Sequence, residues 1–125
     1  MRIFKIFTAL SLLICVGCGK KASPEVISVT KSELVAALEK GDIQLLDVRR
    51  PEEYDQGHIG DAVNVNVLDS VGFKKGVASL DKEKPIYIYC QAGKRSKKAS
   101  EKLKAMGFLT IYDYSDGYGS WENEN

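Results

Sequence analysis

Residues 86–96 read IYIYCQAGKRS, and the fold of the chain is best understood from this stretch. The run at 86–89 predicts a buried strand, because it follows a proline and contains only β-branched and aromatic side chains. Residues 96–106 place small and apolar side chains at helical spacing, and Gly107 stands where a C-terminal cap is expected. Cys90 is therefore predicted at the carboxyl end of a strand, in a short loop that opens a helix. Open α/β sheets bind their ligands at such positions.

The loop between this strand and this helix is suited to holding a thiolate or an anion. The first N–H groups of a helix have no acceptor within it, and the helix dipole adds positive potential there. Lys94 and Arg95 contribute two cations, and Gly93 permits a tight bend or a positive φ. These features should stabilise the thiolate of Cys90 and make it nucleophilic. The alternative is a free cysteine packed inertly at a strand end, with both cations solvated.

Length and composition limit the other possibilities. The chain has 125 residues, 44% hydrophobic and 28% charged, which fits one globular domain with its own core. Its 18 basic and 17 acidic residues balance, so nothing indicates a nucleic-acid partner. With 3 Cys, 1 His, no HExxH spacing and no CxxC spacing outside the predicted export signal, we predict neither a metal site nor a cofactor.

The first 18 residues predict an export signal rather than a part of the fold. A basic start precedes an apolar run to residue 16, which is short for a membrane-spanning helix. The run ends in a sequence similar to a lipoprotein cleavage box, so Cys18 is predicted to carry lipid and become the new N-terminus. We expect an exported, membrane-anchored bacterial lipoprotein that faces the periplasm or the cell exterior. The alternative is an ordinary cleaved signal followed by a soluble protein.

This interpretation divides the chain into three parts. Residues 1–18 form the signal, residues 19–25 a short tether, and residues 26–125 the domain. After lipidation of Cys18, Cys90 would be the one remaining thiol and would have no disulfide partner. Exported proteins usually pair or avoid cysteine, so Cys90 is a candidate reactive group.

The domain alternates predicted strands with predicted helices. Thr30 and Glu33 form a capping box that begins a helix ending at Gly41. Strands are predicted at 26–29, 43–48, 63–67, 86–89 and 109–112, and further helices at 50–54, 68–80 and 96–106. This alternation predicts an α/β fold with a central, mostly parallel five-stranded sheet and helices on both faces.

Six short motifs occur in an order and spacing that resemble single-domain rhodaneses. They are LLDVR at 45–49, PEEY at 51–54, GHI at 57–59, AVN at 62–64, YCQAGKRS at 89–96 and GF at 107–108. The resemblance covers residues 26–122. It implies the rhodanese-like three-layer domain and an enzyme of the thiosulfate sulfurtransferase type.

The resemblance also implies a reaction and a set of site residues. In this family the cysteine matching Cys90 attacks the outer sulfur of a small anionic donor such as thiosulfate, and sulfite leaves. The resulting persulfide passes its sulfur to a thiol or to cyanide. The rest of the loop is expected to bind donor and persulfide, namely Gln91, Ala92, Gly93, Lys94, Arg95 and Ser96.

Three residues outside the loop are expected to support it. Asp47 and Arg49 are predicted to contact each other or to brace neighbouring loops, because losing one member of a buried pair would strand the other charge. His58 is the only histidine. The resemblance favours a bracing role for His58, and the alternative is a general base for Cys90.

Two other functions remain open. Gln91 stands where many family members carry Arg, and Asp116 precedes Gly117 where two glycines are common. These departures favour a persulfide carrier or binding module without efficient turnover. The third hypothesis is a phosphatase, because dual-specificity phosphatases share this fold. Their loop is one residue longer than the four residues between Cys90 and Arg95, so a sulfur atom should fit better here than a phosphoryl group.

Overall fold

Strands and helices alternate along the chain in the computed structural model, which describes residue 17 and residues 19–123. The strands are β1 (Glu25–Ser28), β2 (Gln44–Asp47), β3 (Val63–Asn64), β4 (Ile86–Tyr89) and β5 (Thr110–Asp113). The helices are α1 (Lys31–Lys40), α2 (Pro51–Gln56), α3 (Ser70–Val77), α4 (Lys94–Ala105) and α5 (Gly117–Asn123). Apart from residue 17, the predicted signal lies outside the described residues. Among those described, no helix reaches the length and hydrophobicity that crossing a bilayer requires.

All five strands run parallel in one sheet, in the order β1-β5-β4-β2-β3. β4 is central, and its Ile88 lies beside Leu46 of β2 and Asp113 of β5. Because the strands are parallel, their carboxyl ends meet at one edge, where the loops after β2 and β4 lie side by side. The predicted five-stranded α/β fold is confirmed, and the sheet is entirely rather than mostly parallel.

Each face of the sheet packs against its own helices. One apolar cluster joins Ile88 of β4 to Phe73 of α3 and Leu103 of α4. The other joins Leu45 of β2 to Leu34 of α1, with side chains of α2 and α5 packed against it. Helices therefore cover both faces, which is the predicted three-layer arrangement.

Local sequence signals set where the helices begin, but not the length of β3. The Thr30 N–H donates to Glu33 Oε2 at 2.7 Å and the Glu33 N–H to Thr30 Oγ1 at 3.3 Å, so the predicted capping box is confirmed. Pro51 lies in the first turn of α2, where a missing N–H is tolerated. The predicted strand over 63–67 is too long. Only Val63 and Asn64 pair with β2, and Val63 is 55% exposed because β3 is an edge strand.

The segment before β1 lies at the amino edge of the sheet. Lys21, Ala22 and Pro24 line a cavity together with residues of the loops that precede β4 and β5. The Glu25 N–H donates to Leu109 O at 2.8 Å, next to the first residue of β5. This edge is opposite to the one at which the loops after β2 and β4 meet.

Candidate active site

Cys90 follows the last residue of β4 and begins a loop that runs to Gly93, the N-cap of α4. Its Sγ accepts the Gly93 N–H at 3.0 Å. The N–H groups of residues 94–96 have no acceptor within the helix, because the intrahelical bond to Gly93 O comes from the Lys97 N–H. The sulfur is therefore placed at the positive end of a helix dipole, a position that suits a nucleophilic role.

The Cys90 side chain is buried and lies at the inner end of the loop. It is 1% exposed and belongs to the apolar cluster that includes Ala99 and Leu103. Any reactant must therefore place an atom inside the loop to reach Sγ. Cys90 is also the one free cysteine in the part of the chain that the structure describes.

The amino end of α5 is hydrogen-bonded to the backbone of the loop. The Tyr118 N–H donates to Cys90 O at 2.8 Å, and the Gly119 N–H donates to Gln91 O at 3.1 Å. Gly117 takes a φ of 77°, and a Cβ there would overlap Gln91 O. Glycine at this position thus lets α5 approach closely enough to fix the loop backbone.

Gly93 shapes the other end of the loop. Its φ of 94° lies in the left-handed region, and a Cβ would lie 2.5 Å from Ser115 O. The prediction that this glycine supplies a positive φ is confirmed. Ser96 is fully buried, and its Oγ donates to Gly93 O at 3.1 Å. The turn into α4 is therefore held by both its glycine and its first-turn serine.

Asp47 and Arg49, which the sequence predicts as a pair, contact each other at the end of β2. Arg49 Nη2 donates to Asp47 Oδ2 at 2.6 Å, and the two side chains are 2% and 0% exposed. Burial disfavours the charged guanidinium, but the hydrogen bond and charge of Asp47 outweigh it and raise the pKa of Arg49. The Arg49 guanidinium therefore stays charged inside the protein.

Arg49 also joins this pair to the loop. Its Nη1 donates to Gln91 Oε1 at 3.2 Å, and its Nη2 donates to Gly57 O at 2.7 Å. The guanidinium lies 4.2 Å from the centre of the Tyr118 ring, in cation–π contact. One side chain thus connects β2, the Cys90 loop and α5.

Glu53 of α2 is a site residue that the sequence analysis did not single out. Arg95 donates to both of its carboxylate oxygens, from Nη1 to Oε2 at 2.6 Å and from Nη2 to Oε1 at 2.8 Å. The Arg95 hydrogen bonds lower the pKa of Glu53 to about 2, and Glu53 in turn raises the pKa of Arg95. No local signal marks this pair, because the partners are 42 residues apart in the chain.

The other predicted residues lie outside this network. Ala92 and Lys94 are exposed. His58 is also exposed; its ring stacks on Tyr54 with centres 3.9 Å apart, and its Nδ1 lies 3.2 Å from Tyr54 O. Both contacts tie His58 to α2. The predicted lipidation residue, Cys18, lies outside the described residues, and within those described no three His, Cys, Asp or Glu side chains could together hold a metal ion.

Three known proteins are similar to this chain in sequence. The uncharacterized protein YqhL of Bacillus subtilis is 34% identical over 94 residues, which is 75% of this chain and 71% of YqhL. The thiosulfate sulfurtransferase GlpE of Coxiella burnetii is 29% identical over 85 residues, 68% of this chain and 77% of GlpE. A tRNA uridine(34) hydroxylase of Aster yellows witches'-broom phytoplasma is 38% identical over 92 residues, 71% of this chain, but the chain spans only 30% of the hydroxylase.

Solved structures and a family model agree with these relatives. The human single-domain sulfurtransferase TSTD1 aligns with a TM-score of 0.67 at 26% identity, covering 78% of this chain and 96% of TSTD1. A rhodanese-like domain protein from Staphylococcus aureus aligns with a TM-score of 0.66 at 32% identity, covering 75% and 89%. The model of the rhodanese-like domain matches residues 30–124. The chain therefore belongs to the rhodanese-like domain family.

Proposed function

We propose that this protein is a sulfurtransferase in which Cys90 holds the transferred sulfur as a persulfide. The position of Sγ supports this most strongly: it accepts the Gly93 N–H at 3.0 Å at the amino end of α4. Backbone donors at a helix N-terminus stabilise a thiolate before the reaction and a negatively charged outer sulfur after it.

The reaction would proceed in two half-reactions at one sulfur. The Cys90 thiolate attacks the outer sulfur of thiosulfate or a similar anionic donor. The bond between the two donor sulfurs breaks, and sulfite leaves with the electron pair. A thiol or cyanide then attacks the outer sulfur of the Cys90 persulfide and regenerates the thiolate. Each step exchanges one bond to sulfur for another, so neither an oxidant nor a reductant is required.

The remaining loop residues would act around this sulfur. Gly93 and the first turn of α4, including Ser96, present N–H groups, and Ala92 beside them is exposed and small. Lys94 is exposed and attracts an anionic donor. Gln91 ties the loop to Arg49 at 3.2 Å.

A persulfide carrier without efficient turnover is the second candidate, and the burial of Cys90 favours it. The side chain is 1% exposed, so a bulky acceptor cannot reach the sulfur without entering the loop. Such a domain would take up one sulfur and release it only to a partner whose thiol fits that entrance.

Thiosulfate and cyanide test the turnover hypothesis. The parent protein should release thiocyanate, and Cys90→Ser should release none, because a hydroxyl cannot replace the thiolate as nucleophile. Equal release by the two proteins would exclude the mechanism.

Intact mass after thiosulfate alone separates the two candidates. A gain of one sulfur atom on Cys90 with negligible thiocyanate would support the carrier, and no gain with any donor would argue against both. Hydrolysis of an aryl phosphate by the parent but not by Cys90→Ser would indicate the phosphatase instead.

We further propose that the protein is an exported bacterial lipoprotein held at the membrane by lipid on Cys18, with residues 19–25 as a tether and 26–125 as the domain. The apolar run to residue 16, followed by charge from Lys20, supports this. Mass spectrometry of the mature protein from bacteria expressing the full chain should find residues 1–17 removed and lipid on Cys18. Cys18→Ser should move the protein from the membrane fraction to the soluble fraction. A mature chain that starts elsewhere and lacks lipid would overturn the proposal.

A further inference from the structure

The Arg95 guanidinium is already paired with a carboxylate in the free protein. Its guanidinium makes a two-point contact with Glu53 at 2.6 and 2.8 Å. The carboxylate cannot turn away freely, because Glu53 Oε2 also accepts the Arg50 N–H at 2.9 Å in the first turn of α2. With a pKa of about 2, Glu53 is ionised at every pH at which the protein would work.

Apart from the backbone N–H groups of α4, the side chains of Arg49 and Lys94 add little free positive charge around the loop. Arg49 is buried and paired with Asp47, and its link to the loop runs through the neutral amide of Gln91. Lys94 is exposed and makes no ion pair with a carboxylate in the part of the chain that the structure describes. Among these side chains, the charges of the two cation–carboxylate pairs cancel, and the charge of Lys94 remains.

This balance bears on which donor reaches the Cys90 thiolate. Thiosulfate is a dianion, and its approach to a thiolate brings three negative charges together. A hydropersulfide is attacked in its protonated form R–S–SH, whose outer sulfur carries no full negative charge, so this form needs less compensation from the protein. One unit charge a few ångströms away changes the rate of such an approach by about fivefold when water screens it well, and by more when it does not.

We propose that Glu53 is a specificity-determining residue: by pairing with Arg95 it disfavours dianionic donors and selects hydropersulfides of small thiols. This rests on the proposed sulfurtransferase function. The Cys90 thiolate attacks the outer sulfur of R–S–SH, the S–S bond breaks, and the electron pair leaves with the thiolate R–S⁻. Cys90 is left as the hydropersulfide, so the atoms and charge balance without a further reactant.

Sulfur uptake by Cys90 from two donors tests this role. The rate at which intact mass increases by one sulfur atom is measured with thiosulfate and with cysteine hydropersulfide, whose reacting form, protonated at sulfur, has no net charge as a zwitterion. Glu53→Gln keeps the size and an acceptor for the Arg50 N–H but removes the charge. Glu52→Gln, on the exposed side of the same helix, changes the net charge equally and serves as the matched control.

The parent protein should take sulfur faster from the hydropersulfide than from thiosulfate. Glu53→Gln should raise the thiosulfate rate about tenfold, which corresponds to about 1.4 kcal/mol, and leave the hydropersulfide rate within about twofold. The gain should shrink as ionic strength rises, and Glu52→Gln should leave the ratio of the two rates unchanged.

The ratio of the rates of sulfur uptake from the two donors, measured on one preparation, does not depend on the fraction of the protein that is folded. An unchanged ratio in Glu53→Gln would therefore overturn the inference even if the variant is destabilised. An equal change in Glu52→Gln would overturn it too, because net charge rather than the Arg95 contact would be the cause. If the parent takes sulfur from neither donor, the sulfurtransferase proposal itself fails.

Discussion

Two arginines flank the Cys90 loop, and each is paired with a carboxylate, but the two pairs lie in different surroundings. The side chains of Arg49 and Asp47 are 2% and 0% exposed, whereas those of Arg95 and Glu53 are 19% and 29% exposed. Removing one partner of a buried pair leaves an uncompensated charge in the interior, while water screens an exposed charge. The comparison teaches that the first pair belongs to the framework, whereas the second can be altered while the fold is kept.

Replacing Arg49 with methionine should cause the largest loss of stability. The Asp47 carboxylate would remain fully buried without its guanidinium partner. Breaking a buried pair in this way costs about 3–5 kcal/mol, and urea unfolding should show a decrease of that size. The double variant Asp47→Leu/Arg49→Met removes both charges and should recover a part of the loss. A double variant less stable than Arg49→Met would contradict this account.

A neutral hydrogen bond next to the buried pair tests whether burial alone makes a contact costly to remove. The Ile59 N–H donates to the Tyr89 hydroxyl at 2.9 Å, and burial raises the pKa of Tyr89. Tyr89→Phe leaves that buried N–H without its acceptor and should cost about 1–3 kcal/mol in urea unfolding. Tyr112→Phe, at a half-buried position, is the control and should stay within about 0.5 kcal/mol. Equal losses in the two variants would mean that the Ile59 contact contributes nothing.

The Arg95–Glu53 pair should have the smallest effect on stability, and one that depends on pH. Hydrogen bonds from Arg95 lower the pKa of Glu53 from 4.5 to about 2. A carboxylate with a lowered pKa stabilises the folded state above its unfolded pKa, and this contribution is lost as pH falls toward the folded pKa. Glu53→Gln should therefore cost less than about 1 kcal/mol at pH 7, and the difference from the parent should vanish as pH falls from about 5 to 2. A difference in unfolding free energy that grows toward low pH would refute the assignment.

The elements that the sequence predicts well are those set by neighbouring residues. The Thr30–Glu33 capping box and the sequence of strand, loop and helix around Cys90 depend on short-range spacing, and the structure contains both. The helix over 117–123 was not predicted, because Gly117 and Gly119 lower its intrinsic helix propensity. It is held instead by its backbone bonds to the Cys90 loop, which no local pattern reveals.

In the site, too, contacts between residues close in the sequence can be predicted, whereas a contact between distant residues cannot. The spacing from Cys90 to Arg95 identifies the loop, and the LLDVR motif predicts the contact between Asp47 and Arg49 that the structure contains. The contact between Arg95 and Glu53 depends on how the first turns of α2 and α4, which pack on opposite faces of the sheet, meet at its carboxyl edge. Sequence periodicity does not specify that arrangement. One of the two cations of the loop, Arg95, is therefore neutralised by a residue from another part of the chain.

The path of the chain into β1 has a consequence for how partners would meet the protein. Residues 21–24 adjoin the loops before β4 and β5, whereas Cys90 lies beyond the other ends of the same parallel strands. Under the proposed attachment through lipid on Cys18, the protein would present the sulfur of Cys90 outward, with the height of the sheet between that sulfur and the lipid surface. Donors and acceptors would then arrive from the aqueous compartment rather than by lateral diffusion within the bilayer.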